Sequence, residues 1–277
     1  MKVNQINVTK DMKISDLVDQ FDSSGVLGAG RVGRACNIMV DMIQDEDMKV
    51  FMSLGGPLIP GGMRNIVTQM IENGHVDLIV SSGANITHDL LEAFGGAHYR
   101  HEGRDDEELN EEGIGRIADI NVGSDDFTIF ESEIIKIFEK SSSQTDHISI
   151  QELLHEVGLL VDDENSFLAT AARNNVPIFA PGLIDSMMGL QLWIFNQDHD
   201  FVVDAVADMH YLSDIVFEAE KVGAILLGGG LTKHYTLASN VINGGLDAAI
   251  QITMDRPEAG SLGGAPLEEA KSWAKAR

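Results

Sequence analysis

The sequence predicts an α/β protein with a doubly wound, mostly parallel sheet flanked by helices. Three observations carry this. Short apolar runs recur at Val50–Leu54, Val76–Val80, Val176–Ala180, Ala224–Leu227 and Asp247–Thr253. Segments with helical apolar spacing separate them, which makes successive strands parallel. Glycine-bearing loops follow several of the runs, as ligand sites at the carboxyl edge of a parallel sheet require.

Taken in order, residues 1–24 are polar, with an amphipathic piece beginning near Ile14. Gly28-Ala-Gly-Arg-Val-Gly33 has the form of a dinucleotide fingerprint. Its context argues otherwise, because polar residues rather than an apolar strand precede it, and no ribose-binding acid ends the strand that follows. The expectation here is a helix over Val32–Ile43. After the strand Val50–Leu54 come a turn at Gly61-Gly62 and a helix from Met63 to Asn73, closed by Gly74. Val76–Val80 is a second strand, followed by a helix through Phe94. Residues 103–146 are acidic and read as irregular apart from an amphipathic helix near Ile129–Phe138. Helices are expected at Ile148–Val157 and Ser166–Asn174. The strand Val176–Ala180 carries Pro177, which suits only the first residues of a strand. Asp185 starts the next helix, and Phe201–Glu220 forms a short strand and a long helix.

The 277 residues admit one large domain or two small ones. With no internal repeat, the expectation is a single domain over 1–277 whose first 45 residues form a helical segment. No run approaches the ~18 apolar residues of a membrane span, and the N-terminus lacks an apolar signal region. A single cysteine, Cys36, suits a reducing cytoplasm and reads as a small buried apolar residue. The net charge of −25 argues against nucleic acid, which needs a basic stripe, and favours cations or a basic protein surface. Solubility in a salty cytoplasm is the plainer reading of the same charge. His98-Tyr-Arg-His101 resembles a metal pair, yet no third ligand stands at convincing spacing, so no metal is expected.

The most informative stretch is the last fifty residues. Gly228-Gly-Gly-Leu-Thr-Lys-His234 places three glycines and a Lys-His pair where a strand meets a helix N-terminus, a setting that favours close backbone approach and anions. A helix beginning at Pro266 would carry Glu269, Trp273 and Lys275. Glu269 and Trp273 share a face, whereas Lys275 falls about 160° away around the axis. The three meet one ligand only if that helix frays or ends there.

These pieces, with Gly245-Leu-Asp-Ala-Ala and Gly260-Ser-Leu-Gly-Gly-Ala-Pro-Leu-Glu-Glu-Ala-Lys-Ser-Trp-Ala-Lys275, resemble deoxyhypusine synthase and its homologues. Phe51–Arg64 and Ser81–Asp89 resemble the family's first two NAD-contacting loops, so the likeness covers most of the chain. The resemblance implies a Rossmann-like fold, NAD as cofactor, a homotetramer with sites between subunits, and aminobutyl transfer from spermidine. By that resemblance Lys275 is the imine-forming lysine, which must be uncharged to act as a nucleophile. Trp273 packs along the polyamine, Glu269 holds an amine, and His234 lies between substrate and nicotinamide. His88 and Asn240 are further substrate-contacting positions. Ser82, Gly83, Asp185, Gly229, Gly260 and Ser261 surround NAD, with Asp185 alternatively a helix cap. Lys233 is the rival nucleophile, read instead as a structural cation.

The pattern departs from the eukaryotic enzymes at Thr87-His88, Leu190 and Leu262, which replace acids, at Pro266 in place of arginine, and at Ala274 in place of glycine. Arg277 lies two residues past Lys275, short of the family's usual C-terminus. The expected activity is aminobutyl transfer to a lysine of a translation initiation factor 5A-type protein. Transfer to a free diamine, giving homospermidine, and a non-catalytic NAD- or polyamine-binding homologue are the alternatives.

Overall fold

The computed structural model describes residues 2–277. Two helices open the chain, α1 (Ile14–Ser24) and α2 (Leu27–Gln44). The sheet starts with β1 (Met48–Leu54), followed by a π-turn, α3 (Arg64–Glu72), β2 (Leu78–Ser81) and α4 (Gly83–Ala93). Next come β3 (His98–Arg100), α5 (Asp106–Glu111), β4 (Ile114–Ile117), β5 (Ile120–Gly123) and α6 (Ser124–Ser142). The chain continues through β6 (His147–Ser149), α7 (Ile150–Leu160), α8 (Phe167–Arg173), β7 (Ile178–Phe179) and α9 (Met187–Phe195). It ends with β8 (Val202–Asp204), α10 (Asp208–Glu218), β9 (Lys221–Leu227), α11 (Gly230–Ser239), β10 (Ala248–Ile252) and α12 (Glu269–Ser272).

Five strands form the central sheet in the order β10-β9-β1-β2-β7, every pair parallel. Numbered by their place in the chain this is 5-4-1-2-3, the doubly wound order read from its other edge. The order reverses between β1 and β9, the point of an open parallel sheet at which ligands generally bind. The apolar strands explain the two-sided burial. Val50, Met52, Leu54, Ile79 and Ile225 pack against α3, α4 and the helices from α6 to α9. Phe51, Leu78, Val80, Val222, Ala224 and Leu226 pack on the other face against α10, α11 and α12.

Gly28–Gly33 lies inside α2, where Gly30 and Gly33 serve helix packing. A side chain at Gly33 would overlap the backbone of Asp22, and one at Gly30 would overlap Gly25, because α1 crosses there. The expected strand at Val176–Ala180 shrinks to two residues at the sheet edge, with Pro177 just before it. The acidic stretch is not irregular. It contains α5 and an antiparallel sheet in the order β3-β5-β4, with Arg116 paired to Asp106 and Arg104 to Glu112. A second small sheet pairs β6 with β8 in parallel. No helix among the described residues is long and apolar enough to cross a membrane.

Candidate active site

The carboxyl edge is built by close backbone approach. The loops after β1 and β9 touch: a Cβ at Gly228 would fall 2.7 Å from the Gly55 carbonyl oxygen, and one at Gly55 2.8 Å from that of Gly229. Gly228 also has φ +80°, a conformation that disfavours any side chain. Buried Asn85 fixes the same region from α4, its Oδ1 accepting from Ile59 N at 3.1 Å and its Nδ2 donating to the Leu54 carbonyl at 3.2 Å. Ser82 caps α4, its hydroxyl accepting from Asn85 N. Gly83 abuts Ser186, where a Cβ would lie 2.7 Å from the hydroxyl oxygen. Asp185 is exposed in the turn just before α9, whose cap is Ser186, so Asp185 is not the helix cap. Gly229 is packed against Gly263, and Gly260 and Ser261 lie on the same loop. Six sequence-selected residues thus gather along one edge.

The chemistry-bearing side chains converge beside that edge. The helix expected from Pro266 to beyond Lys275 is a single turn, Glu269–Ser272. Ala274 has φ +54°, which turns the chain back. Lys275 N then donates to the Ala270 carbonyl at 3.0 Å, and Leu246 N donates to the Lys275 carbonyl at 3.0 Å. Ala276 pairs with Leu246 as a parallel bridge, and Arg277 closes on Asp247 at 2.6 Å. This return brings Lys275 to the side of Trp273 that helical periodicity denies it.

The result is a cleft of about 260 Å³ lined by Lys233, His234, Leu237, Leu262, Pro266, Glu269, Trp273 and Lys275. Lys275 Nζ lies 3.3 Å from His234 Nε2 and 5.4 Å from the centre of the Trp273 ring. Burial pushes the His234 pKa down, and the Lys275 charge adds to the effect. A neutral ring with its proton on Nδ1 leaves the Nε2 lone pair to accept from Lys275. Lys233 is buried, and its Nζ donates to the Ala265 carbonyl at 2.6 Å. Burial holds the Lys233 pKa below the ordinary lysine value, opposed by the charges of Glu269 and Asp255. Its amine faces loop carbonyls, which fits the structural role and leaves Lys275 as the open amine.

Two selected residues do not line the cleft. Asn240 is buried at the end of α11, donating to the Thr236 carbonyl at 2.8 Å. It opens the 3-10 turn that follows α11, six positions beyond His234 and about 240° around the helix axis from it. His88 is buried well inside α4, its Nδ1 2.8 Å from His98 Nε2 and its ring edge-on to Phe127. His98 and His101 diverge, the first toward His88 and Glu92, the second toward Asn121. A larger recess of about 510 Å³ beside Pro177, lined by His147, Glu152, His155 and Tyr211, contains none of the selected residues. Sequence reasoning missed Asn85 and Gln251, whose Nε2 donates to both the Gly228 and Gly263 carbonyls. A polar residue within an apolar strand was the available signal for Gln251.

Comparison with known proteins settles the family. The family profile of deoxyhypusine synthase matches residues 16–277. The chain belongs to the deoxyhypusine synthase family. A Methanothermobacter thermautotrophicus protein named "probable deoxyhypusine synthase" is 59% identical over 277 residues, covering 100% of this chain and 90% of its own. A Methanopyrus kandleri protein of the same name is 44% identical with the same coverage. A crystal structure of an Entamoeba histolytica protein assigned as a deoxyhypusine synthase superposes with TM-score 0.64 at 18% identity, covering 100% of this chain and 96% of its own. That likeness establishes the fold. Membership makes the chain a transferase of the deoxyhypusine synthase type.

Proposed function

We propose that this chain transfers the aminobutyl group of spermidine to a lysine of a translation initiation factor 5A-type protein, with Lys275 as covalent carrier and NAD as cofactor. The observation that carries the reading is the meeting of Lys275, His234, Trp273 and Glu269 in one cleft beside the carboxyl edge. Lys275 attacks the carbon of the oxidised donor's imine, and 1,3-diaminopropane leaves as the butyl fragment becomes an imine on Lys275. The acceptor lysine then displaces Lys275, which returns as a free amine. His234, kept neutral by burial, takes the proton that Lys275 must shed before attack. Trp273 offers its ring face to an ammonium and to methylenes, and Glu269 a carboxylate to an amine.

The carboxyl edge suits NAD. The strand order reverses between β1 and β9, the two glycine loops meet there, and α11 begins with its N–H groups free for a pyrophosphate. Bound there, NAD would supply a hydride acceptor for the donor carbon and would return that hydride to the imine left on the acceptor lysine, giving the secondary amine. Ser82, Gly83, Gly229, Gly260 and Ser261 would hold it, and the Asp185 carboxylate is suited to a ribose hydroxyl. The helix α9 is apolar apart from its buried Gln191, yet it exposes Leu190, Trp193 and Ile194, which supports the homotetramer. The charge of −25 suits a basic acceptor protein, and the lone Cys36 suits the cytoplasm.

The test is incubation of purified protein with NAD and spermidine, borohydride reduction and peptide mass spectrometry. A butylamine adduct on Lys275 is expected. No adduct despite measurable NAD binding would identify a binding homologue. Supplying either the acceptor protein or free putrescine in place of borohydride separates protein modification from homospermidine formation.

A further inference from the structure

Buried lysines are costly unless their charge is matched. Lys233 is only 3% exposed, and among the described residues no carboxylate lies within ion-pair distance of its Nζ. Its partners are two carbonyls of one loop, Ala265 at 2.6 Å and Gly263 at 3.5 Å. The Gly263 carbonyl also accepts from Gln251 Nε2 at 2.8 Å, and the same amide bonds the Gly228 carbonyl at 3.0 Å. A side chain from α11 and one from β10 therefore grip the same peptide from two directions. Within the loop, the Ser261 hydroxyl accepts from Gly264 N and its carbonyl from Ala265 N, which ties the segment to itself. That unit supplies the Leu262, Ala265 and Pro266 wall of the cleft and leads directly into Glu269 and Trp273.

We propose that Lys233 and Gln251 are positioning residues that clamp the Gly260–Pro266 loop and so set the distance between the Glu269–Trp273 wall and Lys275. The assignment explains why a lysine adjacent to His234 is not the nucleophile. Its amine is spent on the Ala265 and Gly263 carbonyls. The consequence for catalysis rests on the amine-site reading above; the clamp itself does not.

The test uses Lys233→Met and Gln251→Leu in the full chain, with two readouts. Hydrogen exchange of the Gly263–Ala265 amides should accelerate at least tenfold in Lys233→Met and severalfold in Gln251→Leu, with the α2 and α3 amides unchanged. Steady-state kinetics should show a spermidine KM raised at least tenfold in Lys233→Met and kcat changed less than threefold, with the trapped adduct still on Lys275. Unchanged exchange in both variants overturns the clamp. Loss of kcat and of the adduct in Lys233→Met, with exchange unchanged, makes Lys233 a chemical participant instead. If the wild-type chain forms no adduct, the functional reading fails, and the exchange experiment still decides the clamp.

Discussion

Lys275 Nζ and His234 Nε2 lie 3.3 Å apart although 41 positions separate them in the chain. Under the proposed function, the contact pairs a lysine that must lose a proton with a histidine whose pKa burial lowers. The pKa of His234 is depressed, so its neutral form is complete above the ordinary histidine value and is lost as pH falls through the lower folded value. Activity should therefore show an acid limb below the ordinary histidine range. His234→Gln should lose about 10²-fold or more in kcat, the usual size of a general acid–base contribution. The acid limb of the remaining kcat–pH profile should vanish, and a retained limb would assign it to another group.

The Lys275 return depends on Gly245. This residue has φ +93°, and a Cβ there would lie 2.6 Å from Ala276 N and 2.9 Å from the Ala274 carbonyl oxygen. Gly245→Ala must push the last three residues off Leu246. We expect a destabilisation of about 1–3 kcal/mol by analogy with overpacked sites. Lys275 adduct formation should fall far more than Tm suggests. Equal, small effects on both would show that Lys275 finds its place without the bridge.

Gly33 separates a packing role from a nucleotide role. Gly33→Ala forces a methyl group into the Asp22 backbone and should loosen α1 from α2 at a cost of about 1–3 kcal/mol. NAD affinity, followed by calorimetry, should stay within twofold. A large loss of affinity with normal stability would restore the fingerprint reading.

His88 sets an acid sensitivity. Burial, and then the neighbouring His98 charge, lower its pKa from 6.5 to about 4, with Glu92 opposing. Because the folded value lies below the unfolded one, this stability is complete above pH 6.5 and drains away as pH falls toward 4. The shift corresponds to a loss on the order of 3 kcal/mol across that window. His88→Phe should flatten the urea-midpoint profile between those pH values, whereas an unchanged slope would place the sensitivity elsewhere.

Local patterns made much of the architecture legible. The apolar runs ending at Leu54 and Leu227 became parallel strands because both their faces are buried, and the run through Ile252 joined them as the sheet's edge strand, buried only at Ile250. The polar residues before Gly28 argued against a dinucleotide fingerprint, and the helix expected over Val32–Ile43 begins earlier, at Leu27, so that it takes in all three glycines. The hairpin β4–β5 was hidden, because charged residues such as Arg116 gain their strand partners only across the turn. That Asn240 does not line the cleft could not be read locally, because which face of α11 is buried depends on the core that Leu237 joins.

The order of residues around Glu269, Trp273 and Lys275 determined which side chains this protein has available for amine chemistry, along with the family to which it belongs. Helical periodicity alone would point Lys275 away from Trp273. Only tertiary structure decided otherwise: Ala274 reverses the backbone, Leu246 and Gly245 receive the returning strand, and α11 presents His234 from 41 residues upstream. Each of those steps is a contact between segments distant in the chain, where no local propensity acts.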